Sequence, residues 1–291
     1  IEPITFGFDE VLKAIADENI PQKDFTAHPF IKWVGGKRSI INELISRVPS
    51  SYNGYFEPFL GGGALYFALK PEKAYLSDIN FYLVVTYRAI RDNPKQVLER
   101  LKEHKSKHNL VYYRNARIEL SREQNPIIVA SLFIYLNKTC YNGLYRVNKS
   151  GLFNVPMGKY TDPAIADESN IMACSSVLQE ADIFQHDFSQ ITPKKNQFFY
   201  LDPPYHETYS SYDGSGFNSK DHEKLAEFCH KIHNNGGLFM LSNSDTEFVR
   251  GLYRNYNIET VSASRFVSCK ANERNKQNEL IIRNYNGRYV R

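Results

Sequence analysis

Apolar positions gather in short runs, rich in β-branched and aromatic residues, at residues 55–59, 74–78, 181–186, 197–202, 238–242, 258–262 and 279–285. Runs of that length, separated by helical stretches and turn residues, predict an α/β sheet with helices on its faces. Between residues 78 and 181 the alternation stops. Residues 81–137 read as several helices, with Pro94 opening one and Pro126 another, because the first helical turn leaves unused the N–H that proline lacks. Residues 138–163 change character again. Asn, Gly, Tyr and basic residues dominate there, and the segment predicts a loop with a short hairpin around Lys149-Ser150-Gly151. A long irregular segment inside a compact domain is usually functional. With the helices before it, this segment predicts a smaller unit, residues 93–176, inserted between sheet-domain portions 28–92 and 177–291, with residues 1–27 as a separate arm.

Composition narrows the class. The chain has 291 residues, 42% hydrophobic and 23% charged, which suits a soluble globular protein and excludes a disordered or fibrous one. The longest apolar stretch, residues 127–136, is too short to cross a bilayer, and no basic-then-apolar leader opens the sequence. Four cysteines without a C-x-x-C pair argue against a disulfide framework or a cysteine zinc site and point to a reducing cytosol. The net charge of +4 identifies no partner by itself. Its distribution says more: residues 262–291 hold seven basic residues against two acidic ones, Glu273 and Glu279. Such an excess can grip a polyanion or simply keep a face wet.

Two motifs carry chemistry. In Tyr55-Phe-Glu-Pro-Phe-Leu-Gly-Gly-Gly-Ala64 an apolar strand runs into three glycines and then into a helix. Glycines at such a turn let the backbone approach a ligand, and a helix start offers N–H groups and a positive dipole end. Asp78 closes the next strand, where an acid bonds the ribose hydroxyls of a nucleotide-like cofactor, although it could equally cap the following helix. A phosphate loop is excluded: Gly35-Gly-Lys-Arg-Ser39 needs a further glycine where Ile31 stands. The second motif is Gln197-Phe-Phe-Tyr-Leu-Asp-Pro-Pro-Tyr205. Its two prolines fix the backbone and remove two donors, so the carbonyls of Asp202 and Pro203 can face a ligand. A carboxylate, fixed carbonyls and an aromatic ring suit a planar, amino-bearing base held outside its helix.

Together with Phe30-Ile-Lys-Trp-Val-Gly-Gly-Lys37, Tyr141-Asn-Gly-Leu-Tyr-Arg146, Phe153-Asn-Val-Pro156 and Gly158-Lys-Tyr160, these motifs resemble, in order, the Dam-type DNA adenine-N6 methyltransferases. The resemblance spans residues 29–285. It implies a Rossmann-like α/β fold of S-adenosylmethionine-dependent methyltransferases with an inserted, mainly helical target-recognition domain. It implies S-adenosylmethionine as cofactor, no metal, and double-stranded DNA as partner, in a cytoplasmic enzyme of bacterial or phage origin that a separately acting restriction endonuclease could accompany.

Residue by residue, the resemblance places Gly61, Gly62 and Gly63 at the methionine end of the cofactor and Asp78 on its ribose. Trp33 and Lys37 belong to the N-terminal cofactor motif, Glu57 and Phe59 before the glycine turn also bind the cofactor, and Asp187 and Phe188 line the adenine pocket. Asp202, Pro203, Pro204 and Tyr205 form the catalytic corner, with Asp202 also next to the cofactor. DNA contacts fall to Lys32, Asn142, Leu144, Arg146, Pro156, Lys159 and Tyr160, and to Lys270 and Arg274 in a C-terminal basic loop. Arg146 suits a bidentate guanine contact, and the favoured target is GATC. Lys159 stands where the best-known members carry Arg, and Lys149-Ser150 also differs from them. Cytosine-N4 methylation and a catalytically idle DNA-binding relative are the competing readings. Asp at position 202 with these flanks favours adenine, and the intact glycine turn, ribose acid and Asp-Pro-Pro-Tyr speak against an idle relative. A protein or RNA methyltransferase would share only the cofactor half.

Overall fold

The computed structural model describes residues 27–206, 217–263 and 277–286. Among these residues, seven strands form one sheet: β1 (Gly54–Glu57), β2 (Ala74–Ser77), β3 (Ala181–Phe184), β4 (Gln197–Leu201), β5 (Leu238–Ser244), β6 (Asn257–Ala263) and β7 (Gln277–Arg283). All seven predicted strands are present, with ends shifted by no more than two residues. Their spatial order is β3-β2-β1-β4-β5-β7-β6. The first five are parallel, and β7 runs antiparallel to both neighbours. Strand order reverses between β1 and β4. The carboxyl ends flanking such a switch point open a crevice, and ligands of open α/β sheets bind there.

The helices are α1 (Ile41–Ile45), α2 (Ala64–Leu69), α3 (Phe81–Asp92), α4 (Pro94–Ser106), α5 (Leu110–Leu120), α6 (Pro126–Thr139), α7 (Glu168–Leu178), α8 (Ser219–Asn234) and α9 (Glu247–Leu252). Sequence marks their starts. Pro94 and Pro126 occupy first-turn positions, as predicted, and the side chains of Asn80, Asn109, Asn125, Asp167, Asn218 and Thr246 accept from first-turn amides. Helix α6 is apolar nearly all round because it is the buried axis of the helical unit, with α3, α4 and α5 packed against it.

Side-chain alternation along β4 builds two cores. Phe198 and Tyr200 enter the one shared with Tyr55, Leu76 and Met240, while Phe199 and Leu201 enter the one shared with Phe188, Phe228 and Leu241. The first core continues without a break through Val97, Leu101, Tyr113, Val129 and Leu132, so the 93–176 helices are packed onto the sheet domain. After α6 the chain makes a tight turn at Tyr141–Gly143 and then the predicted hairpin, with bridges Val147↔Phe153 and Cys140↔Met157. Asn142 and Gly143 both have left-handed backbone, and a β-carbon on Gly143 would lie 2.5 Å from the Lys32 side chain.

Leu132 sits in that continuous core with no exposed surface. We expect Leu132→Ala to lower unfolding free energy by about 2–5 kcal/mol, measured by urea denaturation followed by circular dichroism.

Candidate active site

The carboxyl end of β4 delivers Asp202 into the crevice, and its side chain keeps only 19% exposure. Burial pushes its carboxyl up to about 6, opposed by a cation: Lys37 Nζ lies 2.9 Å from Asp202 Oδ1. Lys37 is itself buried, bonded to the Gly35 carbonyl, and stands 4.8 Å from the centroid of the Tyr205 ring. Tyr205 donates its hydroxyl to Glu279 Oε2 at 2.8 Å. Beneath this layer lies Glu57, 2% exposed, which accepts the Tyr55 hydroxyl at 2.7 Å. Desolvation drives its pKa to about 8, with Asp202 adding repulsion and Lys37 relieving part of it. The Lys37 ammonium thus acts on two carboxyl groups, those of Asp202 and Glu57.

Next to them is the glycine turn. Gly61 and Gly63 have left-handed backbone, and side chains there would clash: a β-carbon on Gly61 would come 2.7 Å from Trp33 Cδ1, and one on Gly63 2.9 Å from Tyr87 Oη. Asp78 braces the turn, accepting from Gly61 N at 3.1 Å and Asn80 N at 2.9 Å, and burial lifts its pKa to about 6 despite those bonds. It does not cap α3; Asn80 does, through Leu83 N. Ser77 Oγ, fully buried at the end of β2, has no hydrogen-bond partner. Gly62 is half-buried between them. Phe59 packs on Phe188 with ring centroids 5.4 Å apart, and Asp187 closes a capping box with Gln190.

A crevice with a side-chain-free turn, an acid, an aromatic wall and an orphaned hydroxyl fits a nucleoside-bearing cofactor of the S-adenosylmethionine kind. In that fit Gly61–Gly63 would take the amino-acid end, Asp78 the ribose, and Phe59 with Phe188 the adenine. Among the described residues no group of His, Cys, Asp and Glu could hold a metal ion.

The N-terminal motif reaches both halves. Trp33 lies on the Gly61 turn and also stacks on Tyr145, with centroids 5.7 Å apart at 22°. Its neighbour Lys32, exposed, donates to the Tyr160 hydroxyl at 3.0 Å and stands 4.2 Å from that ring's centroid. Asn137, at the end of α6, clasps the Lys32 backbone at both N (2.8 Å) and O (2.7 Å) and also donates to the Gly143 carbonyl. Asn142 and Leu144 flank that glycine, both half-buried. Arg146 donates through Nε to Asn154 Oδ1 at 2.7 Å and through Nη2 to the Asn154 carbonyl at 3.3 Å. Pro156 and Lys159 are exposed, and the Pro156 carbonyl accepts Tyr141 N. Lys270 and Arg274 lie outside the described residues.

Sequence reasoning missed Asn137, Asn154 and Glu279. Asn137 and Asn154 sit inside or beside motifs already singled out, whereas Glu279 carried one visible signal: an acid opening an apolar strand within a basic stretch.

Fold and site together fit an S-adenosylmethionine-dependent methyltransferase. A family model described as D12 class N6 adenine-specific DNA methyltransferase matches residues 33–267, and the chain belongs to that family. It is similar to the Type II methyltransferase M1.LlaDCHI of Lactococcus lactis subsp. cremoris, 36% identical over 284 residues covering 92% of this chain and 99% of that protein. It is likewise similar to the Type II methyltransferase M.MjaIII of Methanocaldococcus jannaschii, 36% identical over 88% of this chain and 99% of the relative. The DNA adenine methylase of Vibrio cholerae is 30% identical over 87% of this chain and 94% of its own length.

The buried carboxyl of Glu57 makes stability pH-dependent in a definite direction. Folded, it keeps its proton to about pH 8; unfolded, it releases the proton near its ordinary value of 4.5. The native state therefore binds the extra proton between those values, and stability falls as pH rises through that window. We expect Glu57→Gln to gain melting temperature over the wild type most at pH 8 and to lose that advantage towards pH 5, in thermal melts across pH 5–8.5.

Proposed function

We propose that this enzyme transfers the methyl group of S-adenosylmethionine to N6 of an adenine extruded from duplex DNA, within the sequence GATC. The observation that carries the reading is the ion-paired Asp202 at the carboxyl end of β4, presented by Pro203 and Pro204 and backed by the Tyr205 ring.

Adenine N6 is a poor nucleophile because its lone pair is delocalised into the ring. Asp202 and the Pro203 carbonyl would accept the two N6 hydrogens, favour a pyramidal nitrogen, and aim its lone pair away from the protein acceptors. When bound, S-adenosylmethionine supplies an electrophilic sulfonium methyl and is left as S-adenosylhomocysteine, while the methylated nitrogen gives up one of its two protons, so no metal is required. The protein's part is positioning and electrostatics. Bound near-attack geometry can account for about 7–11 kcal/mol of barrier. Lys37 keeps Asp202 ionised at neutral pH against the pull of burial, so the carboxylate remains an acceptor. Tyr205 would stack on the extruded base and offset part of the few kcal/mol that unstacking costs.

Residues 93–176 act in this reading as the target-recognition unit. Asn154 engages Nε and Nη2 of Arg146 through its side chain and its carbonyl, which leaves Nη1 and the second Nη2 hydrogen for a bidentate guanine contact. Lys32, Asn142, Leu144, Pro156, Lys159 and Tyr160 would complete the DNA-facing surface, and Lys270 and Arg274 would hold phosphates. The likeness to Type II methyltransferases supports a role in the cytoplasm beside a restriction endonuclease that acts separately on the same sequence.

Expression with a plasmid, followed by mapping of every modified base, tests the reading. N6-methyladenine confined to GATC is expected; modification of another base or another sequence overturns it. Asp202→Ala should lower transfer by more than about 10²-fold, while S-adenosylmethionine affinity, followed by calorimetry, changes little. Arg146→Ala should cost about 1–3 kcal/mol of discrimination, read as a fall in the ratio of cognate to single-mismatch rates larger than the loss of non-specific binding.

A further inference from the structure

Among the described residues, two side chains bear directly on Tyr205. Lys37 Nζ faces the ring at 4.8 Å from its centroid, and the hydroxyl is tied to Glu279 Oε2 at 2.8 Å. Glu279 comes from a distant part of the chain and is 7% exposed. Its arrival depends on strand direction. Because β7 is antiparallel, its early residues lie beside the late residues of β5, with Glu279 opposite Ser244 on one side and Val261 on the other. A parallel strand at this place in the sheet would bring its last residues, not its first, to the edge where β4 ends. An acid so placed, buried and bonded to the one aromatic side chain of the Asp-Pro-Pro-Tyr corner, has an evident task on that side chain.

We propose that Glu279 is a positioning residue for methyl transfer: its carboxylate fixes the plane of the Tyr205 ring, so that an extruded adenine meets a preset stacking surface beside Asp202. This rests on the base-extrusion reading above and adds to it the residue that sets the ring. Two torsions orient a tyrosine ring. Packing of the ring limits them, but only a bond to the hydroxyl fixes the far end, and a base stacked on a tilted ring would carry its N6 away from the Asp202 carboxylate. Such misplacement lowers turnover without touching the cofactor, whose turn at Gly61–Gly63 is built on β1.

The test uses the full-length enzyme and a GATC duplex carrying 2-aminopurine at the target adenine, whose fluorescence rises on extrusion, alongside turnover on the unmodified duplex. Glu279→Ala should reduce kcat about tenfold or more and diminish or blue-shift the fluorescence rise, with the KM for S-adenosylmethionine unchanged. Glu279→Gln, which retains an acceptor for the hydroxyl, should recover most of that loss. Tyr205→Phe removes the same bond from the other end while keeping the ring, so it checks the proposal even if a Glu279 variant folds poorly. It should reproduce the loss in kcat, and the double variant Tyr205→Phe with Glu279→Ala should be no worse than either alone. Full turnover and a wild-type fluorescence rise in Tyr205→Phe, or additive losses in the double variant, overturn the proposal. A wild-type enzyme that methylates N6 yet gives no fluorescence rise overturns the extrusion reading instead, so the two failures are distinguishable.

Discussion

A lysine ammonium buried against a buried aspartate is the contact on which the rest of this site depends. Taking Lys37 and Asp202 out of water is costly, and the pair contributes little net stability by itself. Its value is chemical. Without the cation, desolvation and the neighbouring carboxyl of Glu279 would favour protonation of Asp202, and a protonated acid would offer the incoming amine one acceptor fewer. The two prolines that follow remove local donors which would otherwise compete for the same oxygens. The cation answers the surplus of negative charge, and the rigid turn fixes where that charge points.

The same short N-terminal stretch joins the two halves of the molecule. Lys37 reaches the acid, Trp33 covers the Gly61 turn and stacks on Tyr145, and Lys32 meets Tyr160 under the clasp of Asn137. Three residues of one short stretch thus touch the proposed cofactor turn, the catalytic corner and the recognition loop. With the apolar core running unbroken from the sheet into α6, the recognition loop is carried on the same packed body as the acid it serves. Shift of either relative to the other would have to break a stacked ring pair and a bidentate amide clasp.

Much of the architecture was legible because local chemistry states it. Parallel strands buried on both faces read as short apolar runs, and prolines mark the helix starts. The hairpin around Gly151 follows from its turn residues. The glycine turn and Asp78 were found as a pair, although the structure adds that Asp78 braces Gly61 directly. Other roles were hidden. Lys37 read as part of a cofactor motif, and its ion pair with Asp202, 165 positions away in sequence (202 minus 37), depends on how the chain folds back over the sheet. Asn137 looked like an ordinary helix-end residue until the Lys32 backbone was brought under it. Contacts of this kind carry no periodicity, so no window along the sequence can reveal them.

Glu279 makes that limit specific. Along the sequence it is one of two acids in a basic stretch, and charge reasoning alone treats it as an interruption. What gives it a place at the site is the reversal of β7, which sends the first residues of a late strand to the carboxyl edge of the earlier ones. Once there, it stands close enough to Asp202 to add repulsion to that carboxyl. The hydroxyl of Tyr205 bonds Glu279 itself, that of Tyr55 bonds Glu57, and Lys37 pairs with Asp202. Each carboxyl in the cluster therefore has its own partner. The lysine, the two hydroxyls and the carboxyls they bond therefore act as a unit rather than as separate contacts.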